Sequence, residues 1–93
     1  MKCAIYVNQS VKPNFHQQHN ECSRYAKRYG YSIKSRVIDF EGNRFYEAID
    51  KVVLDNEVSC LIVYNMKCIG DYETALFYKI YLSEFGKKLI SCN

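Results

Sequence analysis

Hydrophobic positions along this chain alternate between short unbroken runs and stretches where they recur every third or fourth residue. Lys2 to Val7 is a brief apolar run rich in β-formers, which predicts a strand. Asn8 to Pro13 breaks the pattern. Asn14 stands as an N-cap with Gln17 as its N3 partner, and Phe15, Gln18/His19, Cys22, Ala26 and Tyr29 then follow helical spacing until Gly30 supplies the stop. Tyr31 to Phe40 mixes polar and β-branched residues, as an edge strand would, and Glu41-Gly42-Asn43 is a turn. Phe45, Ala48, Ile49, Val52 and Val53 form one helical stripe that should end near Asn56. Val58 to Tyr64 is the most continuously apolar stretch and is expected at the centre of the sheet, covered on both faces. After a loop from Met66 to Gly70, Tyr72 to Phe85 predicts a third helix and Lys87 to Cys92 a last short strand. The order β-α-β-α-β-α-β makes an α/β domain, with a mainly parallel four-stranded sheet between two helical layers.

The third helix carries more apolar surface than its neighbours require. Tyr72, Ala75, Leu76, Phe77, Tyr78, Ile80, Tyr81, Leu82 and Phe85 spread beyond one sheet-facing stripe, so Phe77, Tyr78 and Tyr81 are candidates for contact with a protein partner or a second copy. A set of singly exposed rings, ordinary on protein surfaces, is an equal alternative.

Ninety-three residues, 48% hydrophobic and 25% charged, suit a single domain spanning 1–93. No apolar stretch reaches the roughly 20 residues of a membrane span, and the N-terminal run is too brief for a signal peptide, so a cytoplasmic protein with no membrane partner is expected. The five cysteines form no C-x-x-C pair, which excludes a zinc ribbon and a disulfide framework. His16, His19 and Cys22 share a helix at three-residue spacing that could bind a metal, a reading the sequence does not favour. Neither a metal nor another cofactor is expected. A net charge of +3 allows only weak DNA binding or none.

In an open α/β sheet, ligands bind beyond the carboxyl ends of the strands. Those ends here are Asn8-Gln9-Ser10, Asp39 to Arg44, and Asn65 to Asp71, which bring a hydroxyl, an Arg, a Lys and an Asp. A nucleophile and a cation are the minimum for phosphoryl chemistry. Taken alone, Ser10 reads as a turn hydroxyl and Arg44 as a solvated residue in a helix's first turn.

Read together, these segments resemble the serine recombinases, the resolvases and DNA invertases. Ala4-Ile5-Tyr6-Val7-Asn8-Gln9-Ser10 is similar to that family's A-x-Y-x-R-x-S strand, with Ser10 at the nucleophile position. Gln18, Tyr25-Ala26 and Gly30-Tyr31 stand where the family has Q, Y-A and G-Y. Asp39 to Gly42 with Arg44 resembles a shortened D-x-x-S-G loop and its following Arg. Leu61-Ile62-Val63-Tyr64 is similar to the family's central strand, and Asn65 to Asp71 takes the place of K-L-D-R-L-G-R.

The departures from the family pattern bear on chemistry. Asn8 replaces the Arg near the nucleophile, Cys68 and Asp71 replace the two Arg of the third loop, and Lys67 replaces its acid. The family's long dimerisation helix and DNA-binding domain have no counterpart after the fourth strand. In the family, serine attacks a DNA phosphodiester and the arginines neutralise the phosphate. Losing one such donor typically costs about 100 to 1,000-fold, and three together roughly a million-fold if independent. Asp71 would add repulsion of the phosphate, and Lys67 lacks the bidentate fork of Arg.

The resemblance therefore implies a vestigial site of Ser10 and Arg44 lined by Asn8, Gln18, Lys67, Cys68 and Asp71. It implies a protein of a phage or other mobile element that regulates or inhibits through protein contacts. The rival expectations are a weak nucleic-acid-binding or phosphoryl-transfer protein using Ser10, Arg44 and Lys67, and a decaying fragment without selected function.

Overall fold

The computed structural model describes residues 1–93. Four strands, β1 (Lys2–Asn8), β2 (Ser32–Asp39), β3 (Val58–Val63) and β4 (Lys88–Ser91), alternate with helices α1 (Phe15–Arg28), α2 (Phe45–Val53) and α3 (Tyr72–Glu84). All strand pairs are parallel, in the order β2-β1-β3-β4. The α/β reading of the sequence holds. The centre, however, belongs to β1 as much as to β3, because the chain reverses its direction of travel across the sheet after β2. Cys3 to Val7 are as deeply buried as Cys60 to Val63.

One face of the sheet packs on α1 through Cys3, Ile5, Val7, Cys22, Ala26, Cys60 and Ile62. On the other face, a larger core joins Ala4, Tyr6, Leu61 and Val63 to Phe45, Ala48, Ile49 and Val52 of α2 and Leu82 of α3. β2 shows the alternating burial of a half-covered edge strand.

Local chemistry sets the element ends. The side-chain oxygen of Asn14 accepts the Gln17 backbone N–H at 3.0 Å, as its spacing predicts, and Gly30 ends the turn after α1 at φ +77°. α2 stops at Val53, three residues before the expected Asn56. Asp55 draws the chain aside there by accepting the Glu57 N–H at 2.9 Å. The third loop contains a 3₁₀ turn, Met66–Cys68, and Asp71 caps α3 by accepting the Thr74 N–H at 2.8 Å. Lys87 turns inward, its ammonium donating to the carbonyls of Asp55 and Val58, and so pins the loop between α2 and β3.

Candidate functional site

The switch point of this topology lies between the carboxyl ends of β1 and β3, and Ser10 sits there. The continuous apolar run of β1 anchors the strand, so its last residue, Asn8, emerges at the carboxyl end of the sheet with 5% of its surface exposed. A buried amide must find partners, and the Asn8 side chain makes three hydrogen bonds. Its Nδ2 donates to the Cys68 carbonyl at 2.9 Å, and its Oδ1 accepts the Ser10 N–H at 2.9 Å and the Ser10 hydroxyl at 2.6 Å. The Asn8 backbone N–H donates to Oε1 of Gln18 at 2.9 Å.

Gln18 is fully buried on α1 and holds the whole loop after β1. Its Nε2 donates to the carbonyls of Asn8 at 2.7 Å, Val11 at 2.9 Å and Pro13 at 2.7 Å. The Cys68 thiol points at Gln18 Oε1 at 3.6 Å, and burial pushes that thiol up, so it stays protonated. Ser10, Asn8, Gln18 and Cys68 thus form one network.

The neighbouring loop closes over it. Gly42, at φ +80°, approaches so near that a Cβ there would collide with Ser10 Oγ and come within 3.1 Å of Asn8 Oδ1. Only glycine fits that backbone and that space. The turn is held by Asp39, whose Oδ1 accepts the Gly42 N–H at 2.7 Å, while Oδ2 accepts the Arg44 N–H at 2.7 Å and the Tyr6 hydroxyl at 2.6 Å. Burial works to raise the Asp39 carboxyl, but Tyr6 and the backbone N–H groups of Arg44, Gly42 and Asn43 outweigh it and hold the group below the usual carboxylate range. Burial, with the Asp39 charge beside it, pushes the Tyr6 phenol well up.

The remaining residues expected at the site stand apart from this network. The Arg44 guanidinium is exposed and paired with Glu47 at 2.7 Å; it lines a hollow with Arg36, Asp50 and Lys51 that Ser10 does not reach. Lys67 is exposed on the 3₁₀ turn, and the Asp71 carboxylate is occupied as a helix cap. Ser10 instead borders an open hollow of about 700 Å³ whose lining includes Lys12, Asn14, Tyr64 and Asn65. The only charged side chain among those lining residues is Lys12. The partner of the Ser10 hydroxyl is the Asn8 amide oxygen, which accepts its hydrogen bond but is too weak a base to take its proton.

His16, His19 and Cys22 do not converge. His19 Nε2 accepts the Arg36 Nε–H at 3.0 Å, His16 is exposed, and Cys22 faces the sheet core. On α3, Phe77 (60% exposed) and Tyr81 (36%) lie outward and stack with ring centres 6.1 Å apart. Tyr78 instead packs edge-on against Phe45 at 4.9 Å and belongs to the core, which corrects its grouping with the other two.

Tyr6, Asp39 and Gly42 belong to the site as well, although the sequence placed them only as positions in the resembling motifs and gave them no role there. Their signal is the tyrosine of the β1 motif and an acid three residues before a glycine.

No family model matches the chain, and no curated protein matches it in sequence. Solved structures do. The C-terminal catalytic domain of ISC1926 TnpA, an IS607-like serine recombinase, superposes with a TM-score of 0.83 at 18% identity, over 100% of this chain and 70% of that one. The N-terminal catalytic domain of TP901-1 integrase gives 0.83 at 18% identity over 100% and 78%. The C-terminal catalytic domain of IS1535 TnpA, another IS607-like serine recombinase, gives 0.71 at 12% identity over 96% and 69%. At such identities the fold is what is shared, and that fold is the one seen in serine recombinase catalytic domains.

Proposed function

We propose that this chain is a mobile-element protein, of phage or related origin, that keeps the recombinase-type fold without recombinase chemistry and acts through protein contacts as a regulator or inhibitor. The observation that carries this reading is the state of Ser10. Its hydroxyl is spent on Asn8, the position where the resembling motif has an Arg, and the side chains of Arg44 and Asp71 are engaged elsewhere. A phosphodiester at Ser10 would meet Lys12 and little other positive charge. The exposed aromatics of α3 are the surface nominated for the partner.

Denaturing electrophoresis after incubation with supercoiled and nicked DNA tests the chemistry. No covalent protein–DNA species is expected. A Ser10-dependent adduct, lost in Ser10→Ala, would overturn the proposal.

The open hollow beside Ser10 favours a second reading, weak phosphate or nucleic-acid binding at Ser10 and Lys12, with Arg44 and Lys67 standing outside that hollow. A shift of the Ser10 and Lys12 backbone resonances on titration with a short single-stranded oligonucleotide would support it.

A further inference from the structure

Four of the five cysteines are fully buried, and Cys92 alone reaches the surface. Cys92 lies just past the end of β4, its backbone N–H bonded to the Val63 carbonyl at 3.0 Å. Its sulfur is 3.7 Å from that of Cys22 on α1. A disulfide needs about 2.05 Å between sulfurs, so side-chain rotation of under about 2 Å closes the gap. The two cysteines are 70 positions apart in sequence, and no other contact of this kind joins the chain's last residues to α1.

The access is one-sided. A surface hollow of about 140 Å³ leads to Cys92 between Glu21, Arg24, Tyr25 and Arg28. Arg24 is paired with Glu21 at 2.9 Å, while Arg28 has no acidic partner, which suits a small reagent bearing carboxylates. The hydrogen bond from the Cys22 thiol lowers the Cys92 thiol below its ordinary value, whereas the same neighbour together with burial raises that of Cys22. The partly exposed sulfur of Cys92 is therefore the readier thiolate, and the buried sulfur of Cys22 is shielded and held in reserve.

We propose that Cys22 and Cys92 form a redox couple that exchanges with an anionic low-molecular-weight disulfide of the glutathione type, clamping the end of β4 to α1. Cys92 thiolate attacks one sulfur of the reagent's disulfide, forming a mixed disulfide and expelling one thiolate. That step removes the sulfur whose charge opposed ionisation of Cys22. Cys22 then loses its proton and attacks the Cys92 sulfur, closing the internal bond and expelling the second thiolate. The protein gives up two electrons and two protons; the reagent is reduced to two thiols. Cys22 lies one helical turn beyond Gln18 on the same face of α1, so the clamp fixes the helix beneath the Ser10 loop.

The test uses the full chain in graded mixtures of oxidised and reduced glutathione, read by intact mass, peptide mapping and thermal melting. Oxidation should remove the mass of two hydrogens, link the peptides of Cys22 and Cys92, and raise the melting temperature by roughly 10 °C or more. Cys22→Ser should stop at a glutathione adduct on Cys92. Cys92→Ser, a change at a partly exposed position, should melt close to the reduced parent and take up no glutathione. A parent chain that stays reduced, keeps the adduct, links any other pair of cysteines, or melts no higher when oxidised overturns the proposal.

Discussion

At the scale of single residues, the fold spends its few buried polar groups on shaping two loops. Asp39 is the clearest case, because its carboxylate is 1% exposed and receives the Tyr6 hydroxyl and the N–H groups of Gly42 and Arg44. With its carboxyl held below the usual range, the folded state binds the proton less readily than the unfolded chain, whose Asp titrates near 3.9. The stabilisation is therefore complete above that value and drains away as pH falls through the lower folded value. Asp39→Asn should destabilise the domain by about 1.5–3 kcal/mol near neutral pH, because an amide N–H would face backbone donors and the charge-assisted bonds would be lost. Urea unfolding of both chains at neutral and strongly acid pH checks this: the deficit should shrink toward acid, and an equal deficit at both would remove the carboxylate from the account. The succession of motifs placed Asn8, Gln18 and Cys68 near Ser10, and in the structure the four make one hydrogen-bonded network. For Arg44 the sequence left a solvated side chain and a site cation both open, because it gives the residue that caps a helix but not the direction its side chain takes once Glu47 competes for it.

Elements were legible where one periodicity dominated. α1 and α2 each bury one stripe, and the sequence shows those stripes directly. α3 lacks a single stripe: it buries only Ala75 and Leu82, with Tyr78 half-covered, while Tyr72, Leu76, Phe77, Ile80, Tyr81 and Phe85 remain exposed. The excess of apolar positions could be counted from the sequence. Which rings faced inward could not, because adjacent aromatics at 77 and 78 differ by about 100° of helix rotation, and only the position of Phe45 decides between them. The contrast gives a paired prediction. Tyr78→Ala should cost about 2–4 kcal/mol of stability by stripping the edge-on contact with Phe45 and part of the core. Phe77→Ser should stay within about 0.5 kcal/mol of the parent in thermal melting. Sedimentation of the Phe77→Ser and Tyr81→Ser chains, alone and with any captured partner, should show association weakened by about tenfold or more. If Phe77→Ser unfolds the domain, the helix has a second buried side; if it melts normally and association persists, contact is made elsewhere, most simply along the open edge of β4.

For the molecule as a whole, the α/β class and element order followed from alternating strand and helix signals. Strand order did not, because β1 and β3 are both apolar throughout and only the reversal after β2 puts them side by side. That reversal creates the crevice at Ser10, and the charge around the crevice decides what it can hold. Net charge is +3, and four of the 13 basic side chains are matched locally: Lys2 and Lys34 with Glu57, Lys34 with Asp55, Arg24 with Glu21, and Arg44 with Glu47. Surface pairs of this kind add little stability, but each leaves one less free cation for a phosphate. Counterion release supplies most of the affinity of DNA-binding proteins, in proportion to the phosphates neutralised. With Lys12 the one basic residue lining the hollow, no more than about two contacts form there, and the slope of log affinity against log salt should be shallower than about −2. Filter binding of a labelled duplex should accordingly show nothing tighter than roughly micromolar at about 150 mM salt and no preference among sequences. Lys12→Ala should weaken whatever binding low salt reveals, whereas Arg44→Ala should leave it nearly unchanged, because the Arg44 guanidinium faces a different hollow. A nanomolar, sequence-selective complex would place DNA, and not a protein, as the partner of this fold.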